Sequence, residues 1–164
     1  MEHFNAASEE DLEQALLSCL RSRRWAGRVA DHRPYPDLDS LLAAADEAAY
    51  DLGWSDLTEA LAAEPLPTLP PDSYSAAHTA LNAAHAAYEA RFGHVFVICL
   101  DGLSPSETLD RLLAAIRSRL TNDPEEERAV VADELRRLAS GRLVSALRAA
   151  GNCANNHSAP APGR

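Results

Sequence analysis

"FGHVFVICL", residues 92 to 100, is the one run in this chain that reads as a β-strand, and its reading decides the fold. Valine, isoleucine and phenylalanine suit a pleated, half-buried surface, but a strand must pair with another. No second β-branched run exists to pair with it. The segment is therefore expected as an extended or tightly buried helical piece inside an all-α protein.

The flanking sequence agrees. Upstream, a long helix from about Tyr74 to Arg91 is stopped by Gly93, and a proline-crowded loop over 64–73 precedes it. Before that loop Ser55 is positioned to cap "DLTEALAAE", while Gly53 ends "LLAAADEAAYDL", itself capped by Asp39 or Ser40. "HRPYPDLD" breaks the chain with two prolines after a short helix over "RRWAGRVA". Ser8 with Asp11 makes a capping box for "LEQALLSCLRS", whose leucines 12, 16 and 20 recur at helical spacing. Downstream, "SPSE" at 104 to 107 combines a cap serine, a first-position proline and a glutamate three residues after the cap, opening a helix to about Leu120. Asp123 and Pro124 repeat the device for a last helix ending near Ala150. The sum is an all-α, single-domain bundle of about seven or eight helices over 1–150. Residues 151–164, with no apolar periodicity, are expected as a disordered tail.

Charge narrows the function classes. With 15 Lys and Arg against 25 Asp and Glu, the net charge of -10 argues against a nucleic-acid surface, which needs a basic stripe. A membrane surface is equally disfavoured, and no run reaches the roughly 18 apolar residues of a span. Cys19, Cys99 and Cys153 are odd in number and widely spaced, so neither a disulfide framework nor a zinc site is indicated. A cytoplasmic setting fits, since the acidic N-terminus lacks the features of a signal peptide.

Candidate chemistry must come from histidine, carboxylate and arginine, because no phosphate loop, nucleophile elbow or metal helix motif is present. His3 and His157 fall in expected tails, and His32 and His94 flank loops. His78, Asn82 and His85 stand at i, i+4 and i+7 and share one helix face. The two rings are about 10 Å apart along the axis, too far for one ion, so the competing reading is a plain exposed polar face. Glu64 stands at the end of a helix, where the dipole disfavours a carboxylate. Arg142 sits in the apolar run "LASGRLVSAL" and calls for an anionic partner, either a helix C-terminus or a substrate carboxylate. Cys99, in apolar company, reads as a small buried hydrophobe rather than a nucleophile.

Taken together, "FNAAS" at 4 to 8, Trp25, "RPY" at 33 to 35, "FGHVFVIC" at 92 to 99, "RLTND" at 119 to 123 and "GRLVSAL" at 141 to 147 carry a resemblance. In order and spacing, over about residues 4–147, the chain resembles the 2-oxo-4-hydroxy-4-carboxy-5-ureidoimidazoline (OHCU) decarboxylase family of urate degradation. The resemblance implies an all-helical enzyme without cofactor or metal that converts OHCU, a small-molecule ureidoimidazoline, to (S)-allantoin, commonly as a homodimer. Carried onto this chain, the family's histidine-proline pair falls on Glu64 and Pro65 and its serine on Ser75. The glutamate-glutamine pair falls on His78 and Thr79, the "FGFPF" backbone segment on Phe96, Val97, Ile98, Cys99 and Leu100, and the late arginine on Arg142. The sequence therefore departs from the family pattern where its catalytic histidine and glutamate stand, as though the two had traded places.

On that reading His78 transfers the proton, Glu64 is its partner, Arg142 clamps a carboxylate, and Pro65, Ser75, Thr79 and residues 96–100 hold the ring. Two alternatives use the same residues: a divergent paralogue that acts on or binds another carboxylated heterocycle, and a non-catalytic helical interaction module.

Overall fold

The computed structural model describes residues 1–70 and 73–156, and among them there are eight helices and no strand. The expected seven or eight helices of an all-α domain are thus found. In chain order they are α1 (Glu2–Ala6), α2 (Glu9–Cys19), α3 (Arg23–Asp31), α4 (Leu38–Tyr50), α5 (Trp54–Leu61), α6 (Ser75–Phe92), α7 (Pro105–Arg119) and α8 (Pro124–Asn156). The last helix runs six residues past the expected end at Ala150, and the expected tail beyond Asn156 lies outside the described residues.

Most caps follow the sequence. The Ser8 hydroxyl accepts from the Asp11 N–H at 3.1 Å, and Glu107 accepts from the Ser104 N–H at 3.2 Å. Gly93, at φ 76, is the left-handed residue that ends α6, its N–H donating to the Glu89 carbonyl at 2.8 Å. Two caps differ from expectation. Asp37, not Asp39 or Ser40, caps α4, accepting from the Ser40 N–H at 2.8 Å. Gly53 does not simply stop α4 but is the N-cap of α5, its N–H donating to Asp56 at 2.9 Å. Ser55 accordingly lies inside the first turn rather than capping it.

The short α1 was not expected, and His3 belongs to it instead of to a tail. What holds α1 is the pairing of two motifs. The Asn5 side chain donates to the Tyr35 carbonyl at 2.8 Å and accepts from its N–H at 3.0 Å. The Tyr35 hydroxyl in turn donates to the Val29 carbonyl at 2.7 Å, and Phe4 packs on its ring. "FNAAS" and "RPY" are thus two halves of one contact between chain segments about 30 residues apart.

Two cores result. The larger is built on α2 to α5 and α8, around Trp25, Leu16, Leu41 and Leu135; the smaller lies between α6 and α7, around Tyr88, Phe96, Leu112 and Ile116. Residues 94–100 run between them without helix or strand, as the unpaired β-like run required. Their side chains alternate: Phe96 and Ile98 enter the smaller core and Val97 the larger. An extended backbone with period two can be buried on both faces in this way.

Buried backbone must still be hydrogen-bonded, and here charged side chains replace the missing neighbour strand. Arg119 Nη1 donates to the Val97 carbonyl at 2.5 Å, and the Cys99 N–H donates to Glu134 at 2.8 Å. Arg119 is itself held by Glu127, through Nε at 2.8 Å and Nη2 at 2.6 Å. Glu127 also accepts from Asn122 at 2.8 Å and from the Tyr88 hydroxyl. Burial and that carboxylate push the Tyr88 hydroxyl's pKa well up. Arg119, Asn122 and Glu127 make "RLTND" and the start of α8 the anchor of the extended segment.

Candidate active site

Arg142 projects from the middle of α8 into the corner where α2 ends and the chain leaves α5. Its Nη1 and Nη2 donate to the two oxygens of Glu64, each at 2.7 Å, and Nη1 also donates to the Cys19 carbonyl at 3.1 Å. Cys19 is the last residue of α2, so that carbonyl belongs to the negative end of a helix. The anionic partner that the sequence demanded is therefore double: a helix C-terminus and an internal carboxylate. The position of Glu64 is explained too, because a cation three helices further along the chain offsets the unfavourable dipole of α5.

The electrostatics follow the geometry. The Glu64 bonds hold the Arg142 guanidinium above its usual pKa, against the opposing effect of burial. Burial pushes the Cys19 thiol up, with Arg142 pulling weakly the other way. Cys99 lines a different cavity, with Gly141, Val144 and Ser145 of α8, which sets the extended segment against the stretch of helix that carries Arg142. The Cys99 thiol is also raised, chiefly by burial, as a cysteine in apolar company should be. At the Arg142 corner a cavity of about 330 Å³ opens, lined by Leu17, Ser18, Arg21, Glu64, Pro65 and Arg142.

The other expected residues are placed as follows. Phe96, Val97 and Ile98 are buried, Cys99 and Leu100 half-buried, and Pro65 exposed. Ser75 and Thr79 are exposed on the first turns of α6, the Thr79 hydroxyl donating to the Ser75 carbonyl at 3.0 Å. His78 is half-buried on the same helix. The expectation that Glu64 partners His78 is corrected: both Glu64 oxygens are taken by Arg142, and no hydrogen bond or ion pair among the described residues joins the carboxylate to the imidazole.

Nor do His78, Asn82 and His85 form one polar stripe. Asn82 is exposed, whereas His85 is buried with Leu81 and Tyr88 and stacks on Phe96, 6.0 Å between centroids. His85 Nε2 finds no hydrogen-bond partner among the described residues, and burial lowers the ring's pKa. Three residues that the sequence reading did not single out matter to the site: Arg119, Glu127 and Glu134, which fix the backbone of 97–99. Glu127 carried a signal, since it falls on the α8 stripe continued by Val131, Leu135, Ala139 and Leu143, all buried. A carboxylate on an apolar stripe needs a buried cation.

Fold and site together define a class: a helical bundle in which an arginine of the last helix is clamped by a carboxylate and a helix end beside a small cavity. The chain belongs to the OHCU decarboxylase family, a family of carboxy-lyases, whose sequence pattern matches residues 5–66 and 69–144. Among solved structures it is similar to OHCU decarboxylase in the presence of (S)-allantoin, with 21% identity, a TM-score of 0.70, and coverage of 85% of this chain and 97% of that one. It is also similar to (S)-allantoin synthase, at 19% identity and a TM-score of 0.70, over 88% of this chain and 53% of that one. The chain thus spans about half the length of that synthase. Curated proteins provide no match by sequence.

Proposed function

We propose that this protein decarboxylates OHCU to (S)-allantoin in purine degradation. The observation that carries the reading is family membership over nearly the whole bundle, together with a buried-edge arginine at the position of the family's late arginine. Loss of carbon dioxide breaks the bond between the ring carbon and its carboxylate and leaves an electron pair on that carbon. The site must hold the departing carboxylate, offset the negative charge that spreads into the ring, and return one proton to one face.

Arg142 serves as the cationic carboxylate clamp. His78 serves as the proton-transferring group, an imidazole being the side chain that gains and loses a proton near neutrality. The backbone of Phe96 to Leu100, with Pro65, Ser75 and Thr79, positions the ring. Glu64 acts on Arg142 rather than on His78. We further place the enzyme in the cytoplasm, working without a cofactor and as a homodimer. The acidic composition and the free thiols Cys19 and Cys99 support the first of these.

The test generates OHCU freshly from urate and follows its absorbance decay and the circular dichroism of the allantoin formed. Acceleration with a single allantoin enantiomer is expected; a decay equal to the spontaneous one overturns the proposal. One observation favours a second reading: a carboxylate already sits on Arg142 where the family has histidine nearby. A paralogue acting on another carboxylated heterocycle would bind such ligands through Arg142 while leaving OHCU untouched.

A further inference from the structure

Arg142 is only partly used by the protein. A guanidinium has five N–H donors in one plane. Three are committed, two on Nη1 to Glu64 and the Cys19 carbonyl and one on Nη2 to Glu64. The remaining two, on Nε and Nη2, lie side by side on one edge and meet no acceptor among the described residues. Two parallel N–H groups at that spacing match a carboxylate in bidentate fashion.

Exposure separates the two partners. The Glu64 side chain is 6% exposed and that of Arg142 33%, so a molecule arriving from the cavity meets the guanidinium before the carboxylate. Glu64 is also poorly placed to exchange a proton with a ligand, because both oxygens are held at 2.7 Å by the arginine in front of it.

We infer that Glu64 is a positioning residue: it pins the Nη1–Nη2 end of Arg142, with the end of α2 as a second fixed point, so that the Nε–Nη2 edge is presented to a ligand carboxylate. The inference rests on the proposed function in taking that ligand to be a carboxylated cyclic ureide. The pin also sets affinity. A free arginine on α8 would sample several rotamers, and ordering it would cost binding energy that Glu64 has already supplied.

The experiment uses the full chain and two readouts: calorimetric titration with hydantoin-5-acetic acid, a stable cyclic ureide bearing a carboxylate, and steady-state decarboxylation of OHCU across pH. Wild type should bind the probe and Arg142→Ala should not. Glu64→Ala should weaken binding and raise KM about tenfold, equivalent to one ordered ion pair. Glu64→Gln, whose amide oxygen still accepts from one Nη, should recover to within about threefold, with the shape of the pH profile kept. Thermal unfolding of each variant checks that the bundle is intact. Probe binding by Glu64→Ala equal to wild type overturns the inference. So does a Glu64→Gln variant that binds the probe but has lost kcat, which would make Glu64 a proton-transfer group. If wild type fails to turn over OHCU while the probe follows the stated order, the positioning role stands and the decarboxylase reading falls.

Discussion

Replacing Arg119 by methionine tests whether the extended segment is held by a buried ion pair in place of a sheet. The side chain makes hydrogen bonds to Glu127 at 2.8 Å, to the Val97 carbonyl at 2.5 Å and to the Tyr88 hydroxyl at 3.2 Å. Its guanidinium also lies over the Phe96 ring at 4.5 Å from the centroid. Methionine keeps the apolar stem and removes everything else. Glu127, fully buried, would then be a carboxylate served by Asn122 and Tyr88 alone. Breaking a buried pair from one side costs about 3–5 kcal/mol, and an orphaned backbone carbonyl adds about 1–3 kcal/mol. These overlap, since one relaxation can relieve both, so about 4 kcal/mol is the expected loss from a domain whose total is on the order of 5–15 kcal/mol.

At this chain length that corresponds to a fall in melting temperature of roughly 8–16 °C. Urea unfolding followed by circular dichroism measures the loss of free energy, and thermal unfolding the shift in melting temperature. The companion variant Arg119→Met/Glu127→Leu removes both charges at once. It should be more stable than Arg119→Met alone, because no ion is left without its partner. A loss below about 1 kcal/mol for Arg119→Met, or a double variant equal to the sum of the two single ones, would refute the reasoning.

Three further outcomes are expected. Glu134→Ala strands the Cys99 N–H; the site is only half-buried, so the cost should be about 1 kcal/mol, the low end of the range for an unmade bond, and amide exchange at Cys99 should speed up while Glu134→Gln stays near wild type. Gly93→Ala puts a side chain on a residue at φ 76 with no atom within 4 Å of the new Cβ, so the penalty is purely conformational, about 1 kcal/mol or a melting shift of roughly 2–4 °C. His85 titrates lower when folded than when unfolded, where its value is about 6.5. As pH falls below about 6.5 the unfolded chain takes up the proton that the folded one resists, so stability drops on the acid side. His85→Leu should flatten the pH dependence below about 6.5, and an unchanged slope would show that the ring is not the group responsible.

The helices were legible because their signals are local. Caps at Ser8 and Ser104, the glycine after α6 and the leucine spacing of α2 each depend on neighbours within a turn or two. Where the reading of caps slipped, the true cap lay two or three residues before the chosen one, Asp37 before Asp39 or Ser40 and Gly53 before Ser55, because several candidate residues in a row compete for one cap. The family fold could be inferred, but what its motifs do could not, since "FNAAS" and "RPY" explain each other only across the gap between α1 and the chain after α3. The same holds for "FGHVFVIC" and "RLTND", one supplying a backbone and the other the arginine that satisfies it.

The candidate site was the least legible for a related reason. A carboxylate at position 64 and a histidine at position 78 suggested an exchanged pair, because sequence position shows which residues are near a pocket but not which of them touch. Arg142, 78 residues further on, competes for the same carboxylate and wins: two charge-assisted N–H donors at 2.7 Å hold it more strongly than one half-buried imidazole would. Once Glu64 is spoken for, the departure from the family pattern has a different meaning. On the proposed function, the carboxylate serves the preparation of the arginine rather than the proton-transfer step, and His78 acts without an acidic partner. His78→Gln should therefore abolish turnover while leaving probe binding at Arg142 intact, whereas loss of binding with the imidazole would place His78 in the clamp and not in the chemistry.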